Sequence, residues 1–298
     1  MRLHYDYLSL ARTSHRINTL SCIASAATSG KDDSLMTTRT PYRVAAIGSC
    51  RVFTPLGILS RAHKIQPVYE TTPWYTHSMR DALQKYAIVN GNLNLTSEEI
   101  SLIVHGVDKY KPSEFRSGFY DAADIAVVEI ASIKSIRWRH LEIQQWCLRD
   151  LLLAHDVQPE PIYRMLRLPV EQRDVSVLPP SLRTIGAEAI HVSQTDDQVA
   201  AELRQLQTLL RCPLVLVPPI NVEGAQGTLL PERQRLSTTL AAVAPQIGAQ
   251  YFDPAVHVRE YGIVDALKDL GHYQPAFEKV LADKLLAAIE SRLGATDH

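Results

Sequence analysis

Two short stretches of the sequence carry side chains whose types and spacing can do chemistry. The first is "RVAAIGSCRVFTPL", residues 43–56, where an apolar run ends in Gly48-Ser49-Cys50 and then Arg51. Glycine permits a tight turn and close backbone approach. A helix beginning near Arg51 would aim free N–H groups and the positive end of its dipole at that turn. Such a helix end lowers a thiol pKa, and a neighbouring guanidinium lowers it further. Cys50 is therefore a candidate nucleophile, whereas Ser49 would need a base in contact. A lone cysteine here also reads as a small apolar side chain packed at a strand end.

The second stretch is "KDLGHYQPAF", residues 268–277, in which Asp269 and His272 stand three apart before the last helical segment. A carboxylate at that spacing can reach a ring nitrogen across one turn, fix the tautomer and stabilise an imidazolium, leaving the other nitrogen to face a nucleophile. Taken alone, the same spacing describes an exposed loop histidine. A third cluster, "TTPWYTHSMRDALQ" at 71–84, places Trp74, Tyr75 and His77 before a helix that Ser78 can cap. It reads either as a substrate-lining loop or as a cap with a packed aromatic. His105, His140 and His191 have no partner at a telling spacing and read as structural.

These residues need elements to hold them. Short apolar runs predict strands at "RVAAIG", "KIQPVYE" (an edge strand, given Pro67), "DIAVVEI", "CPLVLVPPI" and "AQYFDP". Apolar positions at helical spacing predict helices near 78–87, 139–155, 196–211, 230–247 and 275–293, the last with Pro275 in its first turn. Strands alternating with helices predict an α/β fold: three layers, a mainly parallel sheet with helices on both faces, flavodoxin-like. Ligands of such sheets sit outside the carboxyl ends of the strands. That rule selects Gly48 to Arg51, then Glu129 with Ser132 and Lys134, then Asn221, then Asp253 and His257.

Residues 1–40 have linker-like composition and are expected to form an N-terminal arm, with one α/β domain over 41–298. Residues 156–192, with their prolines and patchy apolarity, read as an insertion, either a lid or an irregular surface excursion.

The Gly-Ser-Cys block after the first strand and the D-x-x-H block before the last helix resemble the SGNH (GDSL-like) hydrolase superfamily. The resemblance is closest to its Gly-Ser-Cys branches, the GSCFA-domain proteins and the acetyltransferase-like enzymes of bacterial capsule biosynthesis. "PLVLVPPIN" also resembles a later core strand of that superfamily. The resemblance implies the SGNH fold, with Cys50 as nucleophile and the His272–Asp269 pair as base and orienting carboxylate. Gly48 matches the family glycine, and Ser49 stands where the family has aspartate. The family's Gly-x-Asn-Asp block is absent. At that place stands "VVEIASIKS", so Ser132 is the candidate substitute for the asparagine, with Glu129 nearby. Ser49, Arg51, His77, Glu129, Ser132 and Asn221 are the remaining oxyanion or substrate-binding candidates.

Composition narrows the partners. Lys plus Arg total 31 against 32 Asp plus Glu, a net charge of -1, which offers no basic surface excess for nucleic acid. No apolar run is long enough for a membrane span, and no signal-peptide core is present, so the chain is expected to be cytoplasmic. Cys22, Cys50, Cys147 and Cys212 are widely spaced, with no metal-ligand pattern, and are expected to be reduced thiols. No cofactor is required. An acyl-CoA or carrier-bound acyl group is the co-substrate that the capsule-enzyme resemblance implies. The partner is a small-molecule or acyl-carrier substrate, and no feature specifies an oligomeric state.

Two functions follow. The first is an acyl-transferring enzyme, an acyltransferase or an esterase/thioesterase, working through a covalent acyl-enzyme on Cys50. The second is a non-catalytic, SGNH-derived ligand-binding protein. A nucleotide-binding Rossmann reading ranks last, because neither G-x-G-x-x-G nor a P-loop is present.

Overall fold

The computed structural model describes residues 40–70, 74–104, 111–224 and 228–294. The expected N-terminal arm lies outside these residues except for Thr40, as do Cys22 and His105.

The chain enters through β1 (Tyr42–Ile47), whose last four residues are fully buried, and turns into α1 (Cys50–Arg61). β2 (Ile65–Val68) returns beside β1, and α2 (Met79–Val89) and α3 (Ser97–Ile103) follow. β3 (Ile125–Glu129) then runs through the core. β4 (Lys134–Trp138), β5 (Leu141–Ile143), α4 (Gln145–Ala154), α5 (Pro159–Met165), α6 (Arg183–Glu188) and β6 (Ile190–Ser193) form a side lobe. The main layers resume with α7 (Asp196–Leu210), β7 (Leu214–Val217), α8 (Pro231–Val243) and β8 (Gln250–Tyr251). The chain closes with α9 (Pro254–Tyr261), α10 (Ile263–Ala266), β9 (Leu267–Asp269), β10 (His272–Tyr273) and α11 (Pro275–Gly294).

The five expected strands form one parallel sheet in the order β2-β1-β3-β7-β8. β2 is its edge, which accommodates Pro67 where a ladder donor is missing. Alternate residues of each strand face opposite layers. Ala45, Ile47, Ala126 and Val128 pack toward α2, α7 and α8, with Met79, Leu203 and Leu236. Val44, Ala46, Ile125 and Val127 pack toward α1 and α11, with Leu56, Phe277 and Leu281. The fold is three-layered α/β, as the alternation of segments predicts. The chain steps from β1 outward to β2 and then back across β1 to β3. The strand order therefore reverses between β1 and β3, the crevice where open parallel sheets bind ligands.

One expected helix is shorter than its pattern. Residues 139–143, read as the start of a helix over 139–155, instead finish an antiparallel sheet ordered β5-β4-β6, and the helix starts at Gln145. Ile136, Trp138, Leu141 and Ile143 are all buried, and Arg139 makes the reversal with φ of 56°. The strand period wins over the helical one because both flanking segments hydrogen-bond across that turn. Residues 156–192, expected as an insertion, comprise α5, three single 3₁₀ turns, α6 and the first part of β6. Ile162, Leu166, Leu178, Leu182 and Ile185 pack on Leu148 and Leu152 of α4. Arg173 ties the irregular part together, donating to the carbonyls of Leu166, Leu168, Gly186 and Ala189.

Candidate active site

Cys50 is the first residue of α1, at the carboxyl end of β1 and on the switch point of the sheet. Gly48 has no alternative there, since a Cβ on it would lie 2.7 Å from the Cβ of Glu129. That close approach brings the buried Glu129 carboxylate, at the end of β3, under the turn. Oε2 accepts from the Ser49 N–H at 2.7 Å and from the Ser49 hydroxyl at 2.6 Å. Oε1 pairs with Arg51 Nε at 2.6 Å. Ser49 also caps α1, its Oγ accepting from the Arg51 N–H at 3.4 Å and from Arg51 Nε at 3.1 Å. The serine hydrogen is thus committed to Glu129, while Cys50 remains a free, half-buried thiol.

The thiol pKa runs against the sequence expectation. Burial pushes it up; Arg51 pulls it down, Glu129 pushes it up, and hydrogen bonds from Ser49 and the backbone pull it down. The net shift is upward, so Cys50 rests as a thiol and needs a base.

The loop from Trp74 to Ser78 lies across the switch point. Thr76 N–H donates to the Gly48 carbonyl at 2.8 Å, and the His77 carbonyl accepts from Ala131 and Ser132 N–H at 2.8 and 2.9 Å. It therefore bridges the ends of β1 and β3. Ser78 caps α2 in a reciprocal box with Asp81, whose carboxylate also accepts from His77 N–H. Trp74 is buried, while Tyr75 is 39% exposed, its ring 5.9 Å from that of Phe53 on α1. Burial and the nearby Cys50 both raise the Tyr75 hydroxyl pKa.

Asp269 and His272 face each other as partners across the β9–β10 hairpin, not across a helical turn. His272 Nδ1 is 2.9 Å from each oxygen of Asp269, and Oδ1 also accepts from Gly271 N–H at 2.7 Å. Partial burial would raise the Asp269 pKa, but these bonds outweigh it and hold the carboxyl below its ordinary range. With Nδ1–H given to Asp269, Nε2 is the basic nitrogen. The next residue, Tyr273, is buried and packs on Phe277 with ring centres 5.5 Å apart. Burial raises its hydroxyl pKa; Arg51 opposes this, while Glu129 and Cys50 add to it. The Tyr273 hydroxyl thus lies within electrostatic reach of Arg51, Glu129 and Cys50.

Other candidates are occupied or lie apart. The Ser132 hydroxyl accepts from Lys134 N–H and donates to the Lys134 carbonyl, forming the turn into β4. Lys134 pairs with Glu232 at 2.6 Å. The Asn221 side chain donates to Gln234 and accepts from Leu230 N–H, bordering a polar cleft of about 340 Å³ with Tyr251, Asp253 and Arg259. Asp253 caps α9, and His257 pairs with Glu260. His140 lies 3.8 Å from Glu99, and burial lowers the pKa of His191 on β6. Among the described residues, no three His, Cys, Asp or Glu side chains form a group that could hold a metal ion. None of the described helices is long and apolar enough to cross a membrane.

Sequence reasoning overlooked Tyr273 and the buried Lys85–Glu70 ion pair. The signal for Lys85 is its place between Ala82 and Val89 on the apolar face of α2, where a charge needs a partner.

The family model described as the TviD N-terminal domain matches residues 42–288. The Vi polysaccharide biosynthesis protein TviD of Salmonella typhi is 21% identical, over 89% of this chain and 33% of that protein, so the chain spans about a third of that relative's length. Among solved structures, a catalytic mutant of an acetylxylan esterase from Geobacillus stearothermophilus is similar with a TM-score of 0.42 and 12% identity, over 85% of this chain and 96% of that one. An acetyl xylan esterase termed AlAXEase is similar with a TM-score of 0.41 and 8% identity, over 83% and 99%.

Proposed function

The chain belongs to the TviD N-terminal domain family, and from that premise we propose that it transfers acyl groups through a covalent intermediate on Cys50. The observation that carries this reading is the placement of Cys50. It is a half-buried thiol outside any disulfide, at a helix N-terminus on the switch point, with the neighbouring Ser49 and Arg51 both committed to Glu129.

In the first step His272 Nε2 takes the Cys50 proton as Sγ attacks the donor carbonyl. Asp269 holds the ring and stabilises the imidazolium. The Cys50 N–H, in the first turn of α1, receives the oxyanion, helped by the helix dipole. Collapse breaks the bond to the leaving group, which takes the proton back from His272 and leaves a thioester on Cys50. In the second step the acceptor hydroxyl gives its proton to His272 and attacks the thioester. Collapse returns the proton to Sγ and releases the acylated product. Water in place of the acceptor gives hydrolysis. An acyl-CoA or carrier-bound acyl group is the donor, a role that suits a cytoplasmic location. The polysaccharide in the relative's name supports a glycan hydroxyl as acceptor.

The test is intact-protein mass spectrometry after brief exposure to p-nitrophenyl acetate. One acetyl adduct is expected on Cys50 and none on Cys50→Ala. A binding-only reading draws support from the occupied Ser132 hydroxyl, which leaves no side-chain donor in place of the missing asparagine. It requires an unmodified wild-type protein, and that result would sink the enzyme.

A further inference from the structure

We propose that Lys85, buried in α2, is a positioning residue that holds the Trp74–Ser78 loop over the Cys50 turn and so sets the geometry of acyl transfer; the second half of this rests on the function proposed above. Lys85 is 0% exposed. Its ammonium pairs with Glu70, donates to the Trp74 carbonyl at 2.9 Å, and lies 4.9 Å from the Phe53 ring centre and 5.9 Å from that of Trp74. Glu70 lies two residues past β2 and Trp74 opens the loop, so one ammonium grips both flanks of the connection.

The pair is a poor device for stability alone. Both ions are stripped of water, and an apolar pair of similar volume usually serves a core as well or better. What an apolar pair cannot supply is a directed bond to a backbone carbonyl. Here that bond fixes the start of the loop whose next residues reach the site. Tyr75 packs beside Phe53 of α1, Thr76 N–H donates to the Gly48 carbonyl, and the His77 carbonyl accepts from the Ala131 and Ser132 amides after β3. Phe53 closes the circuit. It lies under Lys85, touches Tyr75, and sits three residues beyond Cys50 on α1.

Two variants and two readouts test this. In Lys85→Met/Glu70→Met both charges are gone and the volume is kept. Amide hydrogen exchange at Thr76, Ala131 and Ser132 should quicken at least about tenfold, with Val127 and Leu216 unchanged. Acetylation of Cys50 by p-nitrophenyl acetate should slow by about 10- to 100-fold, because that step needs an aligned carbonyl. Alkylation by iodoacetamide, which does not, should stay within about twofold. In Glu70→Gln the buried Lys85 loses its ion partner and overall stability should fall, but its bond to Trp74 is kept, so exchange at Thr76, Ala131 and Ser132 relative to Val127 and Leu216 should stay near the wild-type ratio; a selective rise at the loop overturns the role of the Trp74 bond. Unchanged exchange in the double variant overturns the positioning role. Faster exchange with undiminished acetylation overturns the link to chemistry. Absence of wild-type acetylation instead overturns the enzyme reading and leaves the exchange result to decide what Lys85 does.

Discussion

The turn carrying Cys50 and the hairpin carrying His272 are built on opposite plans. Ser49 is 2% exposed, and the turn is fixed from below by Glu129, from the side by Arg51 and from above by the Thr76 amide. Those braces come from across the sheet. The side chains of Asp269 and His272 are 55% and 57% exposed, and the bonds that orient them fall within four consecutive residues. Leu267 and Tyr273 bury the two strands of the hairpin in the core, and Arg233 donates to the Leu270 carbonyl at 2.7 Å. The sheet therefore locates Cys50, while the bonds that orient His272 are local to its own hairpin. Damage to the first region should cost folding, and damage to the second should cost activity alone.

The sharpest way to break that contrast is His272→Ala. Turnover should fall by about 10²- to 10⁴-fold, the usual worth of a positioned general base. Urea unfolding should move by no more than about 0.5 kcal/mol, as for an exposed side chain. A large loss of stability would show that His272 is tied to more than its own hairpin. Glu129→Gln probes the other region. It leaves Arg51 buried beside a neutral amide, and the loss of a buried ion partner typically costs about 3–5 kcal/mol. The same denaturation measurement reads it, and a stable variant would mean that the turn is held elsewhere.

The thiol titration gives a smaller, sharper test. Because the Cys50 pKa is raised, iodoacetamide alkylation should still be climbing at pH 9.0, the ordinary thiol value. A plateau well below that would mean that the helix dipole and Arg51 prevail over burial. The smallest effect belongs to Asp269. Its folded pKa is depressed, so its contribution to stability is present above the ordinary carboxylate pKa of about 3.9 and is lost as pH falls through the folded value. Asp269→Asn should slightly lower the melting temperature at neutral pH and leave it unchanged below the folded pKa, so that the fall between the two is flatter.

Much of this was legible in the sequence for a physical reason. A parallel strand buried on both faces must be apolar throughout, so "VAAI", "IAVV" and "LVLV" stand out, and each lies in the central sheet. Gly48 and Cys50 were visible because a site outside a strand end is dictated by topology. The side lobe was hidden because its strands are three to five residues long, and Leu141 fits a helical spacing as well as a strand one. The partnership of Ser49, Arg51 and Glu129 was hidden because it joins residues 80 positions apart. A carboxylate ending an otherwise apolar strand signals that it has a partner, without saying which. The D-x-x-H spacing disclosed the pair but not the hairpin, since three residues of separation suit both a helical turn and a cross-strand register.

The reversal of strand order between β1 and β3 also governs when the site can form during folding. Between those neighbours the chain makes the whole excursion through β2, α2 and α3, so the central pairing closes a long loop before any contact rewards it. The Ser49–Glu129 brace arises with that closure. A partly folded chain carries Cys50 on an unbraced segment until β3 docks against β1.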